Sequence, residues 1–116
     1  MKKQIYTVTF SLLLPLDQAF ILCVNHMNFV PSHKLKRHST NDSQIQTFDA
    51  QLRMPRKLIS ETLKFKLQKI TESETSVILT SAPSLPIGSY DFPATKKILH
   101  YLQQHKNYKE NEQKKP

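Results

Sequence analysis

The chain has 116 residues, 38% of them apolar and 22% charged, so it holds one small domain at most and cannot be a multidomain enzyme. Its 17 Lys and Arg residues against 9 Asp and Glu residues give a net charge of +8, so the expected partner is anionic: an acidic protein, an anionic lipid or a nucleic acid. The single cysteine, Cys23, excludes an intramolecular disulfide, and the single glycine, Gly88, excludes glycine-rich nucleotide-binding loops.

Residues 1–24 form an apolar N-terminal segment that is typical of a targeting signal or a membrane anchor. Lys2 and Lys3 precede an apolar run, as in signal peptides, although no pair of small residues marks a cleavage site. The apolar stretch over residues 5–24 is 20 residues long, which is enough for a helix to cross a bilayer. This interpretation predicts a secreted or membrane-associated protein.

A buried β-hairpin is the alternative for the same segment. Residues 6–12 alternate between apolar and polar side chains, which is the pattern of a strand with one buried face. Residues 15–18 would form the turn, and residues 19–25 would form the return strand. This interpretation predicts a cytoplasmic or nuclear protein.

Residues 25–46 are polar and basic and are predicted to be a linker. Within them, Lys36 and Arg37 form a pair of cations that a processing protease could cleave in an exposed segment. Asn41 begins an Asn-Asp-Ser sequence that fits the pattern for N-glycosylation. Both modifications require the secretory pathway, so they depend on the targeting hypothesis.

Residues 47–106 are predicted to form a small α+β region. Alternation of apolar and polar residues predicts a strand over 48–54, ended by Pro55, and a short apolar run predicts another strand over 76–81. Residues 57–70 fit both a basic amphipathic helix and a strand with a cationic outer face, and the sequence leaves this choice open. A strand there would form a hairpin with the strand that follows it.

The C-terminal part is predicted to contain one helix followed by a tail. Apolar residues recur at helical spacing from Ala94 onward, and Asp91 or Thr95 could cap the first turn. Residues 107–116 are too polar to be buried and are predicted to be disordered. The predicted fold is therefore a small α+β fold of short antiparallel strands and one C-terminal helix, with a disordered linker and tail.

The sequence points to no catalytic, metal-binding or cofactor-binding residue. Cys23 lies in the most apolar segment, where burial keeps a thiol protonated and unreactive. His26, His33 and His38 lie close together in the chain, but no cysteine or carboxylate accompanies them at the spacing of a structural zinc site. We therefore predict a non-enzymatic protein with no metal and no cofactor.

Nine cations within 36 positions form the candidate anion-binding site, and they are Lys34, Lys36, Arg37, Arg53, Arg56, Lys57, Lys64, Lys66 and Lys69. In a nucleic-acid interface these cations would contact phosphates while Phe48 and Phe65, which lie among them, would stack on bases. We favour the alternative, a solvated basic face whose two phenylalanines belong to the core, because both occupy apolar positions of their strand patterns.

Three hypotheses for function follow. The leading one is a small basic protein that residues 1–24 send to the secretory pathway or a membrane, where it binds a partner, with or without processing. The second is an intracellular α+β domain whose cationic face binds nucleic acid or an acidic partner. The third is a chain without an evolved function.

Overall fold

The structure is a computed structural model, and it describes residues 4–38, 43–85 and 89–110. Within these ranges the chain forms six strands and two α-helices. A short 3-10 turn, Met27–Phe29, follows the first helix. The elements in chain order are β1 (Tyr6–Leu12), α1 (Leu16–His26), β2 (Ser32–His38), β3 (Ile45–Arg53), β4 (Glu61–Thr71), β5 (Glu74–Pro83), α2 (Pro93–Gln103) and β6 (Tyr108–Glu110).

All strand pairs are antiparallel, and the strands form one sheet in the order β2-β3-β4-β5-β1-β6. Strand β1 is first in the chain but lies between β5 and β6. Helix α1 carries the chain from there across one face of the sheet to the far edge, where β2 begins. Helix α2 packs on the same face and contacts α1, so both helices cover one side of the sheet.

Alternation of side chains explains why β3 and β4 are strands. Phe48 of β3 lies opposite Phe65 of β4, which lies opposite Leu79 of β5, and all three are buried beneath the helices. The two phenylalanine rings are stacked, with centroids 4.5 Å apart. The strand interpretation of residues 57–70 is therefore correct from Glu61 onward, and both phenylalanines belong to the core.

The N-terminal segment is half strand and half helix. Strand β1 confirms the alternating pattern, but the predicted return strand is wrong, because residues 16–26 form α1. Pro15 precedes the helix and Asp17 lies in its first turn, and both are favourable at a helix N-terminus. Leu16, Ala19 and Cys23 then bury one helix face against the sheet. No helix in the described part of the chain is both long and apolar enough to cross a membrane.

Two segments predicted to be irregular contain strands. Residues 25–46, the predicted linker, hold the end of α1, the 3-10 turn, β2 and the start of β3. The signal for β2 is weak because Leu35 is its one apolar residue. The predicted tail begins with β6, in which Tyr108 stacks on Phe10 with ring centroids 5.0 Å apart.

The C-terminal helix is confirmed as α2, but its N-terminus is not capped as predicted. Phe92 is the residue before the first turn, it adopts a left-handed conformation with φ of 54°, and it supplies no side-chain cap. The cap comes from Glu61 of β4, whose carboxylate accepts hydrogen bonds from the backbone N–H groups of Ala94 at 2.9 Å and Thr95 at 2.8 Å. A residue more than 30 positions earlier in the chain thus fixes the helix to the sheet.

Candidate functional site

The sheet has two different faces. The inner face packs against α1 and α2 and carries the core. The opposite surface, which we call the outer face, is formed by the alternate side chains of the strands, and neither of the two described helices covers it. Side chains from several strands are therefore exposed together on this face.

Four lysines from two strands lie together on the outer face, and we call them the basic patch: Lys34, Lys36, Lys64 and Lys66. All four are exposed. Residues two apart on one strand are about 7 Å apart, and strands β2 and β4 are separated by about 10 Å because β3 lies between them. The sheet therefore holds the four charges in one array, although the two pairs are 28 residues or more apart in sequence.

Asp49 of β3 lies inside the basic patch. It is the cross-strand partner of Lys36 on one side and of Lys64 on the other, and it is half-buried. With Asp49 the patch has four positive charges and one negative charge, a net charge of +3. A shallow cavity of about 160 Å³ opens here, lined by Lys34, Lys36, Asp49, Ala50, Gln51 and Thr62.

The part of the outer face formed by β1 and β5 is nearly uncharged. Strands β1 and β5 present hydroxyl groups and one large apolar side chain there, from Thr7, Thr9, Ser76, Ile78 and Thr80. At its far edge the charges of Lys109 and Glu74 offset one another at 3.8 Å. Within the described ranges, no Phe or Tyr side chain belongs to the outer face.

The remaining predicted cations are divided among other places. Arg53 lies on the outer face at the end of β3, and Arg56 and Lys57 are exposed in the loop that follows. Lys69 lies on the helix side, where it forms an ion pair with Glu72 at 2.6 Å. The backbone of Arg37 belongs to β2, and its side chain lies outside the described part. The structure thus brings four of the nine predicted residues together in the basic patch, places Arg53 on the same face beyond it, and separates Lys69 from them.

The candidate processing site falls in β2. Lys36 and Arg37 pair with Asp49 and Phe48 of β3, so the predicted processing site is part of the sheet. A protease needs an extended and accessible backbone, and cleavage at this pair therefore requires β2 to leave the sheet. Asn41, the candidate glycosylation site, lies outside the described residues.

Buried titratable groups lie on the helix side of the sheet. Cys23 is buried in the core, and burial raises the pKa of its thiol far above the usual range, so it remains a thiol at neutral pH. Among the residues that the structure describes, no three His, Cys, Asp or Glu side chains come together as a metal site. A cleft of about 530 Å³ lies between the first turns of α1 and the ends of β3 and β4, and it includes Phe20 and Lys69.

His26 lies at the contact between the two helices. Its Nδ1 atom is 2.9 Å from the carbonyl oxygen of Leu22, and its ring packs against Phe29 and lies 6.4 Å from the ring of His105. Burial lowers the pKa of His26, the nearby His105 lowers it further, and hydrogen bonds to the backbone oppose both effects. No local sequence pattern indicates this pair, because the two histidines are 79 positions apart.

Acidification is expected to destabilise the fold through His26. Its pKa in the folded protein lies below the unfolded value of about 6.5, so the unfolded chain binds more protons, and stability falls as the pH drops from about 7 to about 5. Thermal unfolding of a His26→Gln variant should depend less on pH over this interval than that of the parent chain. The exposed His100, changed to Gln, is the matched control, and an equal effect of both substitutions would contradict the assignment.

Comparisons with known protein families, curated proteins and solved structures give no match.

Proposed function

We propose that this protein is a non-enzymatic binding protein whose outer face contacts an acidic protein surface. The observation that carries the proposal is the basic patch, because four exposed lysines lie on a sheet face that no described helix covers. A rigid sheet holds these charges at fixed spacing, and such an array increases the rate of association with a partner of opposite charge. With Asp49, the basic patch holds +3 of the net charge of +8.

Two features favour an acidic protein over a nucleic acid as the partner. The outer face lacks Phe and Tyr in its described part, so it offers no ring on which bases could stack. The neighbouring half of the face, with Thr80 and Ile78, is uncharged and suits contact with protein side chains.

Charge reversal at the basic patch is expected to weaken binding to an acidic polypeptide by about tenfold or more. The test compares the Lys64→Glu, Lys66→Glu double variant with the parent chain in binding to poly-L-glutamate at low salt. The control is the Lys96→Glu, Lys106→Glu double variant, which changes two exposed lysines on the helix side and the net charge by the same amount. Added salt should weaken the binding of the parent chain, because the patch is exposed to solvent.

A short DNA duplex serves as the competing probe in the same assay. Tighter binding to the duplex than to poly-L-glutamate, with an equal loss of duplex binding in the patch variant, would identify a nucleic acid as the partner in place of an acidic protein. Equal losses in the patch variant and the control would show that net charge alone drives binding, and the proposal would fall. Absence of binding to both probes would also overturn it.

Targeting by residues 1–24 stays a prediction. Cleavage near residue 24 and the fold described here exclude one another, because the cleaved chain would lack β1 and most of α1. The intact mass of the protein expressed in a eukaryotic cell is the deciding measurement. Loss of about 20 residues, or a glycan on Asn41, would support secretion. Intact, unmodified protein in the soluble fraction would support the cytoplasmic or nuclear alternative.

A further inference from the structure

Strand β2 forms one edge of the sheet. It pairs with β3 along all seven of its residues, and within the described ranges no strand lies on its other side. In an edge strand, every second residue directs its N–H and C=O groups away from the sheet, where another chain can pair with them. The opposite edge is the three-residue β6, so β2 is the longer of the two edges.

The charges of β2 oppose pairing with a second copy of this chain. Two copies of β2 placed side by side would bring Lys34 and Lys36 of one copy against the same lysines of the other on the outer face, and like charges at these positions destabilise a sheet. A strand that carries carboxylates at the corresponding positions would be stabilised by the same lysines. The charges on this edge therefore favour pairing with an acidic strand over pairing with β2 of a second copy.

On the side that faces the helices, β2 favours an apolar neighbour. Leu35 points toward the helix side, opposite Ala50, and packs against the core while remaining half-exposed. His33, on the same side, is half-buried and its Nδ1 atom lies 2.7 Å from the carbonyl oxygen of Val30. An apolar side chain placed beside Leu35 would cover it and extend the core by one strand.

We infer that β2 receives an extended acidic segment of a partner protein as a seventh strand, with its carboxylates beside Lys34 and Lys36 and its alternate apolar residues beside Leu35. The inference rests on the proposed function, since Lys34 and Lys36 belong to the basic patch, and it specifies how the acidic partner binds. Main-chain hydrogen bonds to β2 supply affinity, and the alternation of acidic and apolar residues supplies specificity.

The probe is a synthetic peptide of four Glu-Val repeats, used with two N-methylated forms. One form is methylated on its glutamate amides and the other on its valine amides. In a strand that pairs on one side only, one of these two sets of amides faces β2. We expect the full-length protein to bind the unmethylated peptide and to bind one methylated form about tenfold more weakly. The other methylated form should bind about as tightly as the unmethylated peptide.

Substitutions in the protein distinguish the edge from the rest of the outer face. Lys34→Glu with Lys36→Glu should weaken peptide binding by about tenfold or more, whereas Lys64→Glu with Lys66→Glu should have a much smaller effect, because β4 lies two strands away. Hydrogen exchange provides a direct measurement. On peptide binding, exchange should slow at alternate amides of β2.

The outcomes separate this inference from the proposed function. Equal binding of both methylated forms, with loss of poly-L-glutamate binding in the patch variants, would overturn strand pairing and leave binding to the outer face intact. Absence of binding to both the peptide and poly-L-glutamate would overturn both. Binding to one methylated form alone, together with slowed exchange in β2, would support the inference.

Discussion

A chain that begins at Asn25 is expected not to fold. It would lack β1, which pairs with both β5 and β6, and nearly all of α1. Phe10, Leu12 and Leu16 are three large buried side chains of this segment, and together they contribute about 5–9 kcal/mol to stability. That sum is comparable to the whole free energy of unfolding of a small domain, about 5–15 kcal/mol.

Far-UV circular dichroism and thermal unfolding would test this expectation. The truncated chain should show no cooperative transition, whereas a control chain that begins at Gln4 retains every described residue and should unfold cooperatively. A cooperative transition in the chain that begins at Asn25 would contradict the prediction. It would also make a mature protein without residues 1–24 compatible with a folded domain.

Strands β3 and β5 could be predicted because one face of each is buried in a regular alternation, whereas the alternation in β4 coexists with helical spacing and leaves strand and helix both open. Phe48, Leu63, Phe65 and Leu79 occupy the buried positions, and polar or charged residues occupy most of the positions between them. Helix α2 could be predicted for the same kind of reason, since its apolar residues recur at helical spacing. In these elements local pattern and tertiary packing agree.

Helix α1 and strand β2 could not be assigned from local pattern. Residues 19–24 are apolar almost without interruption, and such a run fits a strand, a helix or a membrane segment equally well. Packing of these residues against the inner face of the sheet, with Ala19 and Cys23 buried, favours the helix over the other two structures. Strand β2 forms because β3 offers it a pairing edge and Leu35 joins the core, and neither fact is visible in residues 32–38 alone.

The basic patch was only partly accessible to sequence analysis. Alternation around Phe65 places Lys64 and Lys66 on one solvent-facing side of a strand. Their proximity to Lys34 and Lys36 depends on the pairing of β2 with β3 and of β3 with β4. The register of these pairings is set by long-range contacts. Sequence analysis could therefore identify the candidate cations but could not predict which of them lie together.

Removal of the buried carboxylate that caps α2 is expected to have the second large effect on stability. Glu61 is 1% exposed, and its two oxygens accept four hydrogen bonds. The donors are the backbone N–H groups of Ala94 and Thr95, the hydroxyl of Thr95 at 2.6 Å and the hydroxyl of Tyr90 at 2.8 Å. Burial and the bond to Glu61 raise the pKa of Tyr90, so its hydroxyl remains a donor at neutral pH.

Glu61→Ala is therefore expected to destabilise the fold strongly. The backbone N–H groups of Ala94 and Thr95 would lose their acceptor in a buried site, at about 1–3 kcal/mol each, and a cavity would remain between β4 and α2. Glu61→Gln should have an intermediate effect, because the amide oxygen can still accept while the amide nitrogen faces donors. Thermal unfolding should show a fall in Tm of about 10 °C or more for the alanine variant.

Glu72→Ala is the matched control for the loss of a carboxylate. Glu72 forms an ion pair with Lys69 at 2.6 Å, but its side chain is 91% exposed, and such surface pairs contribute about 0–1 kcal/mol. Hydrogen exchange should localise the damage in the Glu61 variant to the first turn of α2, since its amides lose their acceptor there. Similar Tm values for the Glu61 and Glu72 variants would mean that the helix is held by its apolar face alone, through Ile98 and Leu102.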